Sequence, residues 1–281
     1  MPTDSLTIDQ LLRDATQQLD RANIESPRID CELFLGDLLE KDRTWLRCWG
    51  DKIVNQEIIQ QFQQMIGRRI KGEPSAYIVG YKEFWSLKLK VTAATLIPRP
   101  DTEILVETVL QKITNPNAKL VDLGTGTGAI ALAIQSEQTG WKVSASDYSV
   151  DALDVAKANA AALNLPVEFS HGSWLEPFAG QQFDCIVSNP PYIDPKDVHL
   201  PSLVNEPITA LTAENHGLAD LQQIIAQAPD HLNEQGWLML EHGFDQGEAV
   251  RALLTEAAFS AVETIKDYGG NDRISIGKKC Y

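Results

Sequence analysis

Asn189-Pro190-Pro191-Tyr192 is the stretch of this chain whose residue types most plainly suit a chemical task. It directly follows Phe183-Asp184-Cys185-Ile186-Val187-Ser188, an apolar run of strand length, and so falls on the loop where a buried strand ends. Two prolines fix φ and remove two backbone donors, which leaves a stiff loop presenting carbonyl acceptors. The Asn189 side chain adds an acceptor and a donor, and Tyr192 adds a flat apolar face. A planar NH2 group fits such a loop, with both hydrogens accepted and its plane stacked on the ring. The pattern points to chemistry on an amide or exocyclic amino nitrogen. The alternative is a Pro-rich turn, but chance would place this tetrapeptide in only about one chain of this size in a thousand.

A second loop suits ligand binding. Lys119-Leu120-Val121-Asp122-Leu123 reads as a strand and runs into Gly124-Thr125-Gly126-Thr127-Gly128, after which a helix opens. Glycines let the backbone turn tightly and approach a ligand, while helix N–H groups face the same space. With Ala129 the stretch satisfies the looser dinucleotide pattern Gly-x-Gly-x-x-Gly/Ala; a purely structural glycine turn is the alternative. Asp147 ends the next strand, where a carboxylate can accept both hydroxyls of a ribose. Its other possible role is to cap the helix starting near Val150, which Ser149 could also do. Nicotinamide dinucleotides and S-adenosylmethionine both contain adenosine, so these residues alone leave both open.

The elements that must position these loops follow from periodicity. Strands are expected at Lys119-Leu120-Val121-Asp122-Leu123, Val143-Ser144-Ala145-Ser146, Val167-Glu168-Phe169, Cys185-Ile186-Val187 and Trp237-Leu238-Met239-Leu240. Helices fall between them, including Ile130 to Glu137 and Val150 to Leu163. Val262-Glu263-Thr264-Ile265 and Arg273-Ile274-Ser275-Ile276, joined by Gly269-Gly270-Asn271-Asp272, close the chain as a hairpin. The fold class is α/β: a doubly wound, mostly parallel seven-stranded sheet with a terminal antiparallel hairpin. In such sheets the strand order reverses beside the first strand, so strands one and four are neighbours. The glycine loop and the Asn-Pro-Pro-Tyr loop would then meet at one carboxyl edge. Hydride transfer has no need of an amino-group clamp; methyl transfer to nitrogen does.

The chain ahead of this domain is helical. Ile8, Leu11, Leu12, Ala15, Leu19 and Ala22 recur at helical spacing behind a Thr7/Gln10 capping box. Ile29, Leu33 and Leu38 mark a helix after Pro27. Ile58, Ile59, Phe62, Met65, Ile66 and Ile70 mark another, capped by Asn55 and stopped by Gly72 and Pro74. Residues 1–75 thus read as a small helical bundle, either a substrate-docking domain or a stabilising appendage. Residues 76–97 read as a β-hairpin linker, with Val79-Gly80-Tyr81 and Phe84 to Val91 extended, and residues 98–281 as the catalytic domain. Pro100 suits the first turn of the helix that opens it.

Composition narrows the partners. The net charge of the 281 residues is −15, whereas proteins gripping nucleic acid by its phosphates carry a basic patch. The short cluster Arg68-Arg69-Ile70-Lys71 reads as the cationic last turn of a helix. No apolar run approaches a membrane span, and Met1-Pro2-Thr3-Asp4-Ser5-Leu6-Thr7 has no basic and apolar leader pattern. Cys31, Cys48, Cys185 and Cys280 are scattered, which argues for free thiols in a reducing cytoplasm and against a metal site. A monomer without nucleic-acid or membrane partners is the expectation.

The chain resembles the release-factor glutamine methyltransferases, the HemK/PrmC family, over essentially its whole length. The resemblance rests on Glu83-Phe84-Trp85-Ser86-Leu87, Ile97-Pro98-Arg99-Pro100-Asp101-Thr102-Glu103, Asp122-Leu123 with the glycine loop, Ser188 to Ile193, and Leu240-Glu241-His242-Gly243. The glycine loop is common to many methyltransferases and the Asn-Pro-Pro-Tyr loop is shared with adenine-N6 DNA enzymes. The Arg99 segment and the helical N-terminal region narrow it to this family. The resemblance implies S-adenosylmethionine as cofactor and the Gln of the Gly-Gly-Gln motif of class 1 peptide chain release factors as substrate. It implies cofactor contacts from Gly124, Thr125, Gly126, Thr127, Gly128, Asp147, Trp174 and Asn189, with Asn189, Pro190, Pro191 and Tyr192 holding the glutamine. Ser173 stands where an Asp before the Trp is expected, and Asn205 where an aromatic is common.

As catalytic groups, Asn189 Oδ1 and the Pro190 carbonyl are expected to accept the two amide hydrogens, while Tyr192 stacks on the amide plane. His171, His242 and Glu241 read as structural. Three rivals remain at this level: a nucleobase amino-methyltransferase, a non-catalytic adaptor that kept the fold, and a nicotinamide dehydrogenase.

Overall fold

A computed structural model of the chain describes residues 6–198, 200 and 205–280. Met1 to Ser5, where the absence of a leader pattern was read, lie outside the described residues. The chain divides into two compact units, Met1–Gly80 and Tyr81–Tyr281.

Among the described residues the first unit holds five helices: α1 (Ile8–Arg21), α2 (Pro27–Leu39), α3 (Arg43–Cys48), α4 (Gln56–Ile70) and α5 (Ser75–Val79). The capping box forms as the sequence predicts, with Gln10 N–H donating to Thr7 Oγ1 and Thr7 N–H to Gln10 Oε1. Asp42 and Asn55 cap α3 and α4 by accepting from Trp45 N and Ile58 N. The helix expected after Pro27 forms as α2; of the residues that mark it Ile29 is 51% exposed, and Cys31, Phe34 and Leu35 supply its most buried side chains. Two acidic residues on α2 are buried with them, and both are paired. Arg69 Nε donates to Asp30 at 2.7 Å, while Arg28 and Arg43 each donate to Glu32 at 2.7 Å. The apolar stripe of α2 is broken by these carboxylates, while Leu33 and Leu38 still pack against the core at its margin. Val79 also departs from its extended reading, because it ends α5.

The second unit opens with a hairpin, β1 (Tyr81–Phe84) and β2 (Leu87–Lys90). The hairpin reading holds, but its turn falls at Trp85 and Ser86, with φ values of 50° and 61°, inside the stretch from Phe84 to Val91 that reads as extended. Two successive left-handed residues match the twist of a tight hairpin. A 3₁₀ turn at Pro100–Thr102 then leads into α6 (Glu103–Lys112).

Strands β3 (Lys119–Leu123), β4 (Lys142–Asp147), β5 (Val167–His171), β6 (Phe183–Ser188), β7 (Leu232–Glu241), β8 (Ser260–Lys266) and β9 (Asp272–Lys278) form one sheet in the order β5-β4-β3-β6-β7-β9-β8. The first five are parallel, and β9 runs antiparallel between β7 and β8. Parallel strands must be covered on both faces. One face carries Leu120, Ala145, Val187 and Met239 against α6 and α7 (Ala129–Glu137), with α8 (Val150–Leu163) at its margin. The alternate residues Val121, Ile186, Leu238 and Leu240 meet α10 (Ala219–His231) and α11 (Gly247–Glu256) on the other. The single turn α9 (Glu214–Gly217) precedes α10. The seven-stranded doubly wound sheet is thus the one expected, with strands one and four adjacent.

Glu32 makes the first unit sensitive to acid. Burial raises its pKa, but hydrogen bonds from Arg28 and Arg43 outweigh that and hold it below the ordinary carboxylate range. A depressed folded pKa means the stabilisation is complete above the unfolded value and is lost as pH falls through the folded one. Glu32→Gln should therefore weaken the joint of α2 and α3 at neutral pH by about 1–2 kcal/mol, less than for a dry pair because its arginines reach solvent. Amide hydrogen exchange read at neutral pH and again below about pH 4, under the ordinary carboxylate range, should show the difference fade on acidification.

Candidate active site

The site begins where β3 and β6 end. These strands pair in parallel with Leu123 opposite Ser188, so the next residues, Gly124 and Asn189, start side by side. Ser188 Oγ donates to the Leu123 carbonyl at 2.7 Å and ties the two strand ends together.

The glycine loop is held from below by buried polar groups. Gly124 and Thr125 donate N–H groups to the Ser146 carbonyl at 2.9 and 3.0 Å. Thr125 Oγ1 donates to Asp122 Oδ2 at 2.6 Å, and Ala131 N–H reaches the same oxygen. Burial pushes the Asp122 carboxyl up to about 7 against those two donors. Gly124, Gly126 and Gly128 have φ of +69°, +56° and +83°, a region L side chains resist. A Cβ on Gly126 would meet no protein atom within 4 Å, so the backbone there faces open space. Asn159 of α8 steadies the loop from outside: its Nδ2 donates to the Thr127 and Lys90 carbonyls and its Oδ1 accepts from Lys90 N–H.

Asp147, the last residue of β4, accepts Gly126 N–H and Ser149 N–H, each at 2.8 Å and each on a different oxygen. Ser149 caps α8 through Ala152 N–H, so the cap does not need Asp147. Each Asp147 oxygen keeps a second acceptor direction for a ligand. Burial holds this carboxyl above the usual carboxylate range despite the two N–H groups. Trp174 follows β5 in left-handed backbone, φ 46°, with its carbonyl accepting from Ser146 Oγ at 2.8 Å. Its ring packs so tightly on Gly124 that a Cβ there would lie 3.1 Å from it.

Gly124 through Thr127, Asp147, Trp174, Asn189 and Pro191 all face one cavity of about 550 Å³. Gly128 stands behind that wall, against Leu132 and Ala156. Pro190 and Tyr192 face an adjoining cavity of about 310 Å³, and Asn189 lines both. The larger space falls within the roughly 300–1,000 Å³ of small-molecule sites. With a bare glycine backbone on one wall and a carboxylate at a strand end, it suits S-adenosylmethionine.

The Asn-Pro-Pro-Tyr loop is fixed on both flanks. Asn189 Nδ2 donates to Thr102 Oγ1 at 3.2 Å, and Tyr192 Oη donates to Glu241 Oε1 at 3.3 Å. Burial and the neighbouring Glu241 push the Tyr192 hydroxyl up, so it stays protonated. The Tyr192 carbonyl accepts from Gln246 Nε2, and a Cβ on Gly217 would lie 2.0 Å from that carbonyl oxygen. Gly217, with φ +78°, can hold only glycine. Arg99 bridges to buried Glu206, which also accepts Ile97 N–H at 3.0 Å, so the Arg99 segment closes over the smaller cavity.

The histidines sit apart from these acceptors. His171 is exposed and bonded to the Tyr148 carbonyl, while His242 is buried between the Gly243 carbonyl and Ser275 Oγ. Burial lowers the His242 pKa, which keeps the ring neutral. Glu241 is enclosed; burial lifts its carboxyl to about 7, with Thr102, Arg273 and Tyr192 pulling the other way. Among the described residues no group of His, Cys, Asp or Glu could hold a metal. Thr102, Asn159, Ser146 and Ser188 are the positioning residues that sequence reasoning missed. Thr102 and Ser188 lie in segments that carry the family resemblance, but the contacts of all four reach across 28 to 87 residues of chain, which spacing does not show.

Similarity to known proteins follows the same division. The PrmC N-terminal domain matches residues 10–80 and the methyltransferase small domain matches residues 100–270. The release factor glutamine methyltransferase of Aliivibrio fischeri is 49% identical over 279 residues, 98% of each chain. That of Escherichia coli K12 is 45% identical over 270 residues, 95% of this chain and 97% of its own. Among solved structures, a methyltransferase from Pyrococcus furiosus aligns with TM-score 0.56 and 20% identity over 78% of this chain and all of its own. The 16S rRNA N2 G1207 methyltransferase of Thermus thermophilus, in complex with AdoMet and guanosine, aligns with TM-score 0.50 and 19% identity over 71% of this chain and 49% of its own. At such identities these two structures speak for the fold alone. With relatives this similar over nearly its full length, and both domain models matched in order, the chain belongs to the release factor glutamine methyltransferase family.

Proposed function

We propose that the chain methylates the side-chain amide nitrogen, N5, of the Gln in the Gly-Gly-Gln motif of class 1 peptide chain release factors, using S-adenosylmethionine. The observation that carries this reading is the shared position of Asn189, which lines both the glycine-walled cavity and the cavity of Pro190 and Tyr192. A methyl donor in the first space and an amide in the second would meet at that side chain.

An amide nitrogen is a poor nucleophile because its lone pair is delocalised into the carbonyl. When bound, S-adenosylmethionine supplies a methyl group on a sulfonium, a very good leaving group. The protein's task is then mainly alignment of nitrogen, methyl and sulfur. Gly124 to Gly128 would shape the cofactor wall, with Asp147 accepting the ribose hydroxyls and Trp174 and Asn189 completing the contact. Asn189 Oδ1 and the Pro190 carbonyl would accept the two amide hydrogens, while Pro191 stiffens the loop and Tyr192 stacks on the amide plane. Two fixed acceptors favour the positive charge that develops on nitrogen as the bond forms. The nitrogen would gain the methyl as the sulfur–methyl bond breaks with its electron pair left on sulfur, and would lose one hydrogen as a proton to water.

The first unit would serve to dock the release factor, and the net charge of −15 suits a protein partner better than nucleic acid. Among the described residues no helix is long and apolar enough to cross a membrane. A cytoplasmic monomer is the reading that goes with this substrate.

The direct test is methyl transfer from labelled S-adenosylmethionine to a release factor, beside its Gln→Ala variant in the Gly-Gly-Gln loop. Label on the first and none on the second is expected. Label on neither, with cofactor binding intact, would turn the search to nucleobase amino groups. Asn189→Ala should cut kcat by about 10²–10³-fold while cofactor affinity falls far less; near-normal turnover would remove Asn189 from the reaction. Tyr192→Ala should raise KM and lower kcat together, and no change in either would take the ring out of the site. Gly126→Val, filling an open wall in a left-handed position, should weaken cofactor binding by at least about tenfold in a calorimetric titration.

A further inference from the structure

Among the described residues the wall of the larger cavity carries three carboxylates, Asp147, Asp151 and Asp220. Two of them are accounted for. Asp147 accepts two backbone N–H groups and has acceptor directions left for the ribose, and Asp151 is exposed, so water solvates it. Asp220 is different. It sits half-buried in the first turn of α10, and among the described residues no hydrogen bond or ion pair reaches its carboxylate. Burial alone lifts it above the ordinary carboxylate range, with no donor pulling it back. Arg99, the one cation on that wall among the described residues, is already bridged to Glu206.

A desolvated acceptor without a donor is costly, so this carboxylate suits a donor on whatever fills the cavity. S-adenosylmethionine offers three kinds: the ribose hydroxyls, the ammonium of its methionine end and the exocyclic amino group of its adenine. The hydroxyls go to Asp147. The sulfur has to face Asn189, where the methyl leaves, and it carries the methionine end with it. The base then lies on the far side of the ribose, toward β5, the strand beyond β4, whose loop supplies Gly172, Ser173 and Trp174 to the wall. The start of α10 packs on that same loop, since Leu221, next to Asp220, shares one apolar cluster with Leu175 and Trp174. Ser173 offers a hydroxyl there, which leaves Asp220 as the anionic acceptor on that side. Gln223 lines the same wall three residues on, a neighbour of Asp220 on the helix face.

We propose that Asp220 reads the adenine of the cofactor by accepting a hydrogen from its 6-amino group, with the Gln223 amide beside it for the adjoining ring nitrogen. Adenine presents its amino donor next to ring-nitrogen acceptors, and a carboxylate beside an amide N–H matches that edge. Asp220 is thus a specificity residue for the base, remote from the methyl that moves. The inference rests on the placement given above of the ribose at Asp147 and the methyl at Asn189.

The test is calorimetric titration of the full-length protein with two ligands, S-adenosylhomocysteine and its analogue whose purine carries hydrogen in place of the 6-amino group. The wild-type protein should prefer the adenine ligand by about 10–100-fold, the range of a hydrogen bond to a charged group. In Asp220→Ala that preference should fall to within about threefold, through weaker binding of the adenine ligand alone. Asp220→Asn keeps an acceptor oxygen without the charge and should hold a preference between the two. A purely structural role for Asp220 in α10 predicts a lower Tm and equal losses for both ligands; a preference unchanged in Asp220→Ala therefore overturns the proposal. 5′-Methylthioadenosine, which lacks the ammonium, separates the other donor. Asp220→Ala should weaken its binding as much as that of S-adenosylhomocysteine, and a loss confined to S-adenosylhomocysteine would assign Asp220 to the methionine end and overturn the adenine reading. Either contrary result leaves the proposed reaction standing, whereas failure of the wild-type protein to bind S-adenosylhomocysteine at all would overturn both.

Discussion

Strand order beside β3 is the constraint on which the rest of this molecule depends. Because β4 lies on one side of β3 and β6 on the other, the loops after β3 and β6 open on the same edge of the sheet. Their register places Leu123 beside Ser188, and the Ser188 hydroxyl bonded to the Leu123 carbonyl pins that level. A slip of one residue between these strands would turn every side chain to the opposite face and part the two loops. Apolar burial on both faces of the sheet holds the register, since Leu120 and Val187 belong to one layer and Val121 and Ile186 to the other. The chemistry is thus fixed first by packing well below the cavity.

Above that base, the loops are positioned by buried hydrogen bonds rather than by apolar contact. Asp122, Ser146, Ser188, Asn159, Thr102 and Glu241 each have less than a tenth of their surface exposed, and each bonds a loop backbone or a site side chain. Buried polar groups are costly unless satisfied, so they specify one arrangement strongly. The glycines let the loop come close to a ligand, and the polar groups beneath stop that permissive backbone from wandering. Gly217, tight against the Tyr192 carbonyl, does the same for the second loop by admitting no side chain at all.

Much of this was legible in the sequence because the signals are local. The strand at Lys119–Leu123 and the helix at Val150–Leu163 have the bounds their patterns indicate, and strand order followed from the general rule for doubly wound sheets. The expected loop residues converge on adjoining cavities, with Gly128 one layer behind. What spacing could not show was pairing over distance. Buried Asp30 is paired with Arg69, 39 residues further along the chain, and Thr102 lies 87 residues before Asn189. The split at Trp85-Ser86 carries neither Gly nor Asn, the residues by which such turns are usually read. Sequence reasoning finds groups that do chemistry more readily than groups that aim them.

The central claim is that the two loops hold one continuous line of reacting atoms. The measurement that tests it most directly is calorimetric affinity for a bisubstrate ligand, in which the adenosyl group is joined through its 5′ chain to the amide nitrogen of a glutamine. If both cavities work as one site, this ligand should bind at least about 100-fold more tightly than the adenosyl half alone, because the second half binds without a second loss of freedom. Most of that gain should vanish in Asn189→Ala. Affinity no greater than that of the adenosyl half, or a gain indifferent to Asn189, would contradict the account.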